Sequence, residues 1–306
     1  MKIFTELANA ADAQAQAQLE HDLEHIRNNL SGVKAIVAIA SAKGGAGKSI
    51  AAVNVAGALA LKGRKVALVD ADFNSPSVVA MLGMKRPRNL PMTEGIELVA
   101  GPHGLRVVAS DLIVGGEPPP MSFLGDDDAP APPPPERLES MSYAQAIRLV
   151  FGQSRFGALD YLVVDLGPGL GNLDLLAKTV KLDGIILMSN PSALAAGAAR
   201  DAVRLAAANA TPLIGIVENM VGFHCDGCRS VRPLWPEGGL QAVAREADVP
   251  ILARFAFDPR LAEASDRGIL FIHEFADTPI GKSLTELAQR VETILASRAR
   301  VANAVV

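Results

Sequence analysis

The chain has 306 residues, 49% of them hydrophobic and 4% aromatic, which is enough for one large domain with a substantial core. Its net charge of -4 argues against a surface that neutralises many phosphates, so we expect no nucleic-acid partner. No apolar run approaches the ~20 residues that cross a bilayer, and the N-terminus lacks the features of a signal peptide. The sequence therefore predicts a cytoplasmic protein without stable membrane insertion.

The N-terminal residues 1–32 are predicted to form a helical arm, because Leu23, Ile26 and Leu30 recur at helical spacing. From residue 33 to residue 297, near-continuous apolar runs alternate with helical segments. These runs span residues 35–40, 65–70, 161–165, 184–188 and 213–217. Such a pattern predicts a three-layer α/β domain in which helices flank a mostly parallel central sheet.

The pattern breaks at residues 115–136, where proline and aspartate runs cannot form the hydrogen bonds of a helix or a strand. We interpret this segment as a flexible surface insertion, and a solvated linker is favoured over a peptide-recognition motif. Further along, the sequence predicts a short strand through Phe255, a turn at residues 258–259 and two helices, the last near 280–296. Residues 298–306 are predicted to form a C-terminal tail that lacks the apolar face of a membrane-binding helix.

A glycine-rich turn joins the first apolar strand to a helix that opens at Lys48. The glycines let backbone N–H groups converge on phosphates, and the helix N-terminus adds partial positive charge. Lys48 is predicted to contact the β- and γ-phosphates of ATP, and Ser49 to ligate Mg²⁺. The predicted nucleotide-binding residues are Gly44, Gly45, Ala46, Gly47, Lys48, Ser49 and Ile50. The residues predicted to form the buried side of the helix are Ala51, Ala52, Val55, Leu59 and Leu61.

Three aspartates stand at or just after the ends of apolar strands, where open parallel sheets place ligand-binding groups. Asp70 is a candidate for the outer shell of Mg²⁺, and Asp165 supplies a second acidic group beside the metal. Asp72 is predicted to orient the attacking water in phosphoryl transfer. A lone aspartate at a strand end is usually a cap or turn former, but three of them beside a phosphate loop favour catalysis. Residues 166–172 have the glycine content of a switch loop, and a simple strand-to-helix turn is the alternative.

Residues 43–49 read Lys-Gly-Gly-Ala-Gly-Lys-Ser. This form resembles the deviant phosphate loop of the P-loop NTPase class that includes the MinD and ParA ATPases and the nitrogenase iron protein. In that class the early lysine reaches across a dimer to the partner's nucleotide. The resemblance therefore implies a homodimer and a catalytic role for Lys43, beside those predicted for Asp72 and Asp165.

The chain contains only two cysteines, Cys225 and Cys228, and such a close pair in a reducing compartment indicates a metal or redox site rather than a disulfide. A tetrahedral thiolate site or a cubane cluster needs about four protein ligands. Two chains supply four thiolates, so a site that bridges a symmetric dimer satisfies the count. An iron–sulfur cluster is favoured, while zinc with His224 assisting and free or redox-active thiols stay as alternatives.

With the cysteine pair, the resemblance narrows to the Mrp family, also called ApbC, of iron–sulfur cluster carrier ATPases. The matching segments are residues 32–34, 43–49, 70–72, 76–77, 159–165, 218–220, 225–228, 258–259 and 266–268. The resemblance implies that Cys225 and Cys228 hold a [4Fe-4S] cluster at a homodimer interface and pass it to apo-iron–sulfur client proteins, with a cluster scaffold as a further partner. It also implies that Asn219 lies near the adenine.

Two departures from the family pattern bear on ATP hydrolysis. Asn172 stands where the family has an acidic residue, and Leu170 stands where it has a threonine. We therefore expect slow hydrolysis. Besides a slow carrier ATPase, the sequence leaves open a MinD/ParA-type positioning ATPase and a zinc-stapled, non-catalytic nucleotide-dependent scaffold, and the cysteine pair favours the carrier.

Overall fold

The computed structural model describes residues 2–85, 95–113, 142–224, 227, 230–235 and 238–304. The predicted surface insertion at residues 115–136 lies outside these ranges, and so do Cys225 and Cys228. Within the described ranges, the sequence forms one α/β arrangement with helices on both faces of a central sheet.

Nine strands, counted over the described ranges, form a single sheet. They are β1 (Ile36–Ala40), β2 (Val66–Ala71), β3 (Val99–Ala100), β4 (Arg106–Ala109), β5 (Tyr161–Leu166), β6 (Gly184–Ser189), β7 (Leu213–His224), β8 (Val231–Pro233) and β9 (Ile251–Phe257). The order is β3-β4-β2-β5-β1-β6-β7-β8, and β9 also pairs with β7. β3 with β4 and β7 with β8 are antiparallel, while the other pairings are parallel. The predicted mostly parallel sheet is confirmed.

Helices cover both faces of this sheet. They are α1 (Lys2–Asn29), α2 (Lys48–Leu61), α3 (Val78–Met81), α4 (Ser110–Ile113), α5 (Tyr143–Gln153), α6 (Leu170–Thr179), α7 (Ala193–Ala208), α8 (Gly239–Glu246), α9 (Pro259–Asp266), α10 (Phe271–Glu274) and α11 (Pro279–Ala304), with a 3₁₀ turn at Pro102–Gly104. Among the described residues, no helix combines the length and the apolar character that spanning a membrane requires.

Two apolar cores separate the three layers. One lies between the sheet and helices α1, α5, α6, α7 and α8, and the other between the sheet and α2, α3, α9, α10 and α11. Strand β1 serves both cores, because alternate side chains of a strand point to opposite faces. Ala38 packs in the first core, and its neighbours Val37 and Ile39 pack in the second. The predicted three-layer fold follows from this two-sided burial.

The C-terminal end of the predicted N-terminal arm is anchored to the first core. Ile26 and Leu30 of this segment are buried there. The side-chain amide of Asn29 donates hydrogen bonds to the carbonyls of Phe151, at 2.8 Å, and Ser154, at 2.7 Å. The last turn of α1 therefore packs as part of the core.

Three details differ from the sequence expectations. β7 does not end at residue 217 but continues to His224, because its second half, which begins with the polar Glu218 and Asn219, pairs with both β8 and β9. Residues 298–304 are helical rather than a tail, since their alanines and arginines are good helix formers that extend α11. Leu61 is 43% exposed because it sits at the C-terminal end of α2, while the rest of the predicted apolar side is buried.

Helix α2 is packed tightly on its outer side. A Cβ added at Gly57 would lie 2.7 Å from the side chain of Leu270, so a larger residue at this position would require Leu270 to shift. The side-chain oxygen of Asn54 accepts a hydrogen bond from the backbone N–H of Ile272, at 3.1 Å. The middle of α2 therefore packs closely against the segment that contains Leu270 and Ile272.

Candidate functional site

The glycine-rich turn lies between β1 and the N-terminus of α2. Gly45, with φ 72°, and Gly47, with φ 87°, adopt left-handed backbone conformations that favour glycine. Gly47 is the N-cap of α2 and supplies no capping side chain, so the first N–H groups of the helix remain available to an anion. Lys48 is buried at the start of the helix, whereas Lys43 is exposed. This arrangement suits the binding of phosphate groups.

Strands β2 and β5 place two aspartates side by side. In the parallel pairing of these strands, Asp70 is the register partner of Asp165, and both are completely buried. Asp70 accepts hydrogen bonds from the backbone N–H groups of Asp72 (3.0 Å), Ser77 (2.8 Å) and Val78 (3.0 Å). Asp70 therefore stabilises the loop that contains Asp72. The role predicted for Asp70 from the sequence, in the outer shell of Mg²⁺, stays a prediction.

The environment of Asp70 disfavours its ionised form. Burial raises the pKa of this carboxyl to about 7, although the three backbone hydrogen bonds act in the opposite direction and the charge of Asp72 adds to the rise. A carboxylate with three backbone donors is well suited to fixing a loop. Asp70 therefore has less remaining capacity to accept hydrogen bonds than Asp165, its neighbour on β5.

Asp165 has a different environment. Neither of its carboxylate oxygens has a hydrogen-bond partner among the described residues. Burial and then the nearby charge of Asp70 hold the pKa of Asp165 well above its usual range, while the Ser49 hydroxyl and the Lys48 ammonium lower it. A buried carboxylate beside a serine hydroxyl is a donor set that suits Mg²⁺, which prefers oxygen ligands and keeps several waters. These residues therefore fit the predicted cation.

Asp72 and Asn172 converge on Gly167 in the predicted switch loop. A Cβ at Gly167 would lie 3.0 Å from the Asn172 amide nitrogen and 3.3 Å from a carboxylate oxygen of Asp72. Burial raises the pKa of Asp72, and Lys48 lowers it. The Asn172 amide donates to the carbonyl of Pro168, at 3.0 Å. The structure thus brings the predicted water-orienting carboxylate next to the neutral residue that stands in the family's acidic position.

Hydrogen bonds connect the switch segment to the phosphate loop. The N–H of Gly169 donates to the carbonyl of Ser41, at 3.2 Å. The Ser41 hydroxyl in turn donates to the carbonyl of Lys43, at 2.6 Å. A change in the conformation of either loop must therefore alter the contacts of the other.

Asn219 of β7 reaches the phosphate loop. Its side-chain amide donates to the carbonyl of Ala46, at 3.0 Å, and its side-chain oxygen accepts the N–H of Met220, at 2.9 Å. The approach is close, because a Cβ at Gly47 would lie 2.3 Å from the amide nitrogen. In this structure the side chain is thus engaged with the loop, and an adenine contact for Asn219 stays a prediction.

Two features near Asn219 were not anticipated from the sequence. The buried Glu218 forms an ion pair with Arg254 of β9, at 2.7 Å. The indole nitrogen of Trp235 donates to the carbonyl of Met220, at 2.9 Å. The one signal available beforehand was that Trp235 is the only tryptophan of the chain and follows the cysteine pair closely in sequence.

The predicted cysteine site falls in the connection between β7 and β8. These strands form an antiparallel hairpin in which His224 is the register partner of Val231. Cys225 and Cys228 lie between these two residues in sequence and outside the described residues. Within the described ranges, no group of three or more His, Cys, Asp or Glu side chains is arranged to hold a metal ion.

Comparison with known families decides the class of the protein. The ParA family model described as NUBPL iron-transfer P-loop NTPase matches residues 32–129 and 137–292. The chain belongs to this family. The P-loop NTPase class predicted from the phosphate loop is thereby confirmed, and so is the resemblance to the iron–sulfur cluster carriers.

Curated relatives of this NUBPL-family chain carry a common name. The iron-sulfur cluster carrier protein of Saccharolobus solfataricus is 31% identical over 274 residues, which cover 89% of this chain and 88% of the relative. The iron-sulfur cluster carrier protein of Pseudomonas fragi is 33% identical over 282 residues, which cover 91% and 89% of the two chains.

Solved structures similar to this NUBPL-family NTPase have the same fold. A nucleotide-binding protein from Archaeoglobus fulgidus in complex with ADP is 28% identical, with a TM-score of 0.68 over 82% of this chain and 93% of that one. The cell division ATPase MinD of Pyrococcus furiosus has a TM-score of 0.60 over 85% and 99% of the two chains. At 18% identity, the second similarity supports the fold alone.

Proposed function

We propose that this chain is an ATP-dependent iron–sulfur cluster carrier. In this proposal a homodimer binds and slowly hydrolyses ATP, holds a [4Fe-4S] cluster on Cys225 and Cys228 of each subunit, and transfers it to apo-iron–sulfur client proteins. The observation that carries the proposal is the hydrogen bond from Asn219 to the phosphate loop, because Asn219 lies on the strand that leads to the cysteine pair. The carrier names of the relatives from S. solfataricus and P. fragi support it.

The nucleotide is held at the turn between β1 and α2. Backbone N–H groups of residues 44–49 cradle the phosphates, and Lys48 neutralises their charge. Ser49 and Asp165 would hold Mg²⁺, which would supply positive charge to offset the negative charge that develops in phosphoryl transfer. Asp72 orients the attacking water, and Asp70 positions Asp72 through the backbone bonds described above.

Two independent considerations support the homodimer in this proposal. Lys43 is exposed beside the phosphate loop, where it is free to reach a second subunit. The cysteine pair supplies two thiolates per chain, and a cubane cluster needs about four ligands. A symmetric dimer brings two pairs together and meets this requirement without another protein. A cluster scaffold that loads the dimer is a further partner in this proposal.

The slow hydrolysis has a local explanation. Asn172, whose amide lies near Asp72 at Gly167, cannot accept a proton or carry a negative charge. The carboxylate of Asp72 is then the acidic group left to orient water on this side of the site. A slow turnover suits a carrier that must keep its cargo between loading and delivery.

The test is anaerobic reconstitution of the protein with iron and sulfide. We expect about four iron and four sulfide per two chains, with a dimer by gel filtration. Cys225→Ala or Cys228→Ala should abolish iron binding and leave ATP binding almost unchanged, because symmetry removes two of the four thiolates at once. His224→Ala is the matched control, and it should retain the full iron content.

Three outcomes would overturn the proposal. One is a wild-type protein that stays monomeric and free of iron, and another is a double cysteine variant that binds as much iron and sulfide as the wild type. The third is one tight zinc per dimer with no phosphate release, which would favour the zinc-stapled scaffold. If the protein instead moved to a membrane or to the nucleoid in response to bound nucleotide, a positioning ATPase would be favoured.

A further inference from the structure

Three consecutive hydrogen bonds connect the phosphate loop to the β7–β8 hairpin. The Asn219 amide donates to the carbonyl of Ala46, at 3.0 Å. The N–H of Met220 donates to the side-chain oxygen of Asn219, at 2.9 Å. The indole N–H of Trp235 donates to the carbonyl of Met220, at 2.9 Å. Side chains thus occupy both backbone polar groups of Met220 and link residue 46 to residue 235.

Met220 lies at an irregular point of the sheet. Its φ of 58° is in the left-handed region, which costs a residue with a side chain on the order of 1–3 kcal/mol and persists only where surrounding contacts hold it. The pairing of β7 with β9 also shifts register between Asn219 and Phe223. The bonds from Asn219 and Trp235 satisfy the N–H and the carbonyl of Met220 in this conformation.

The contact between Asn219 and the phosphate loop is also close. Ala46 is buried, and the space beside Gly47 has no room for a side chain because the Asn219 amide fills it. A movement of Ala46 when phosphate binds would therefore shift Asn219 or break the hydrogen bond between them. Either event changes the environment of Met220, and hence the position of the indole that binds its carbonyl.

We propose that Asn219, Met220 and Trp235 couple the phosphate loop to the hairpin that contains the cysteine pair. Asn219 and Trp235 are positioning residues in this device, and neither is required to touch the cysteines. The inference rests on the proposed function only for the role of the hairpin, since nucleotide can bind at the loop when no cargo is present. Linkage then requires that a ligand on the hairpin changes nucleotide affinity by the same factor that nucleotide changes the affinity of that ligand.

The chain contains its own reporter, because Trp235 is its single tryptophan. We expect the fluorescence of the metal-free protein to change on titration with Mg-ATP, with a midpoint equal to that of labelled-ATP binding measured by dialysis. Asn219→Asp keeps an acceptor for Met220 but loses the donor to Ala46. The fluorescence response should therefore be lost even at Mg-ATP concentrations that saturate the variant, as dialysis with labelled ATP determines for it separately. Leu234→Ala, at an exposed position beside the tryptophan, is the control that should retain the response.

The second measurement follows the hairpin itself. The alkylation rate of the cysteines in the metal-free wild type should depend on Mg-ATP, and Trp235→Phe should remove this dependence because phenylalanine keeps the ring but not the N–H donor. An unchanged fluorescence response in Asn219→Asp, or an unchanged nucleotide dependence of alkylation in Trp235→Phe, would overturn the inference. Circular dichroism verifies folding, and each variant tests the connection separately if the other fails to fold.

These readouts distinguish the inference from the proposed function, because neither uses iron. A protein that couples nucleotide to fluorescence and alkylation but binds no cluster would refute the carrier function and leave the coupling intact. A protein that binds a cluster on its cysteines but shows no coupling would refute this inference alone.

Discussion

Asp70 and Asp165 lie directly opposite each other on adjacent parallel strands, yet their environments differ. Asp70 accepts three backbone hydrogen bonds, whereas neither oxygen of Asp165 has a partner among the described residues. Burying an ionisable carboxylate without a partner is unfavourable. The first aspartate therefore stabilises the fold of its loop, and the second lowers the stability of the metal-free protein while being suited to bind a cation.

Asp165→Asn should stabilise the nucleotide-free protein. The amide removes the cost of burying an acid whose pKa lies well above its usual range, and we expect a gain on the order of 1–2 kcal/mol in the free energy of unfolding. Urea unfolding without Mg²⁺ measures this gain. Asp70→Asn is the matched comparison and should destabilise by about 1–3 kcal/mol, because the amide leaves a backbone donor unpaired. Loss of stability in Asp165→Asn would contradict our assignment of the two carboxyl groups.

Substitution of the two lysines of the phosphate loop should have different effects. Lys48→Ala is expected to abolish ATP binding, because it removes the buried cation at the start of α2 that offsets phosphate charge. Lys43→Ala should retain most of the binding and lose hydrolysis, since this exposed side chain is predicted to reach the partner's nucleotide. Equilibrium dialysis with labelled ATP and a phosphate-release assay separate the two effects. The division of roles is wrong if both variants lose binding equally.

Asp72→Asn should slow hydrolysis and spare nucleotide binding. Losing a group that orients or accepts a proton from the attacking water typically lowers the rate by about 10²–10⁴-fold. Single-turnover phosphate release with the dimer saturated in Mg-ATP is the direct measurement. An unchanged rate of phosphate release in Asp72→Asn would mean that another group positions the water. Asn172→Ala would then test whether the neighbouring amide does so.

Ala210→Gly should raise the stability of the protein. Ala210 follows the last turn of α7 with φ 50°, and the bonds from Thr211 to Ala206 and from Ala210 to Ala207 form a Schellman motif that favours glycine at this position. We expect a gain of about 0.5–1 kcal/mol in the free energy of unfolding by urea.

The matched control for this prediction is Gly63→Ala after α2. Gly63 occupies the same position of a Schellman motif with φ 78°, and a Cβ there would meet no atom within 4 Å. The substitution changes the backbone preference without a steric clash, so it should destabilise by about the same amount. If both substitutions shift stability in one direction, the left-handed backbone is not the cause.

Local patterns were sufficient to predict the sheet and the phosphate loop. Strands such as β1 and β5 are short apolar runs buried on both faces, and Gly-Lys-Ser at a strand–helix junction has few alternative explanations. The end of β7 was missed because Glu218 and Asn219 are polar and resemble the end of a strand. Both are compensated by groups distant in sequence, Glu218 by Arg254 and Asn219 by the carbonyl of Ala46. Pairings between residues so far apart leave no trace in a local pattern.

The position of β1 in the sheet has a consequence for biosynthesis. The strand that precedes the phosphate loop pairs with β5 on one side and β6 on the other, and β6 ends at Ser189, past the middle of the 306-residue chain. A ribosome must therefore deliver most of the polypeptide before this strand has both neighbours. The outer side of α2 stays uncovered for longer still, because the segment with Leu270 and Ile272 that packs on it is synthesised later, and this apolar surface exposes the nascent chain to aggregation. The turn between β1 and α2 is translated early, but the strands on both sides of β1 reach it only when most of the chain has been made.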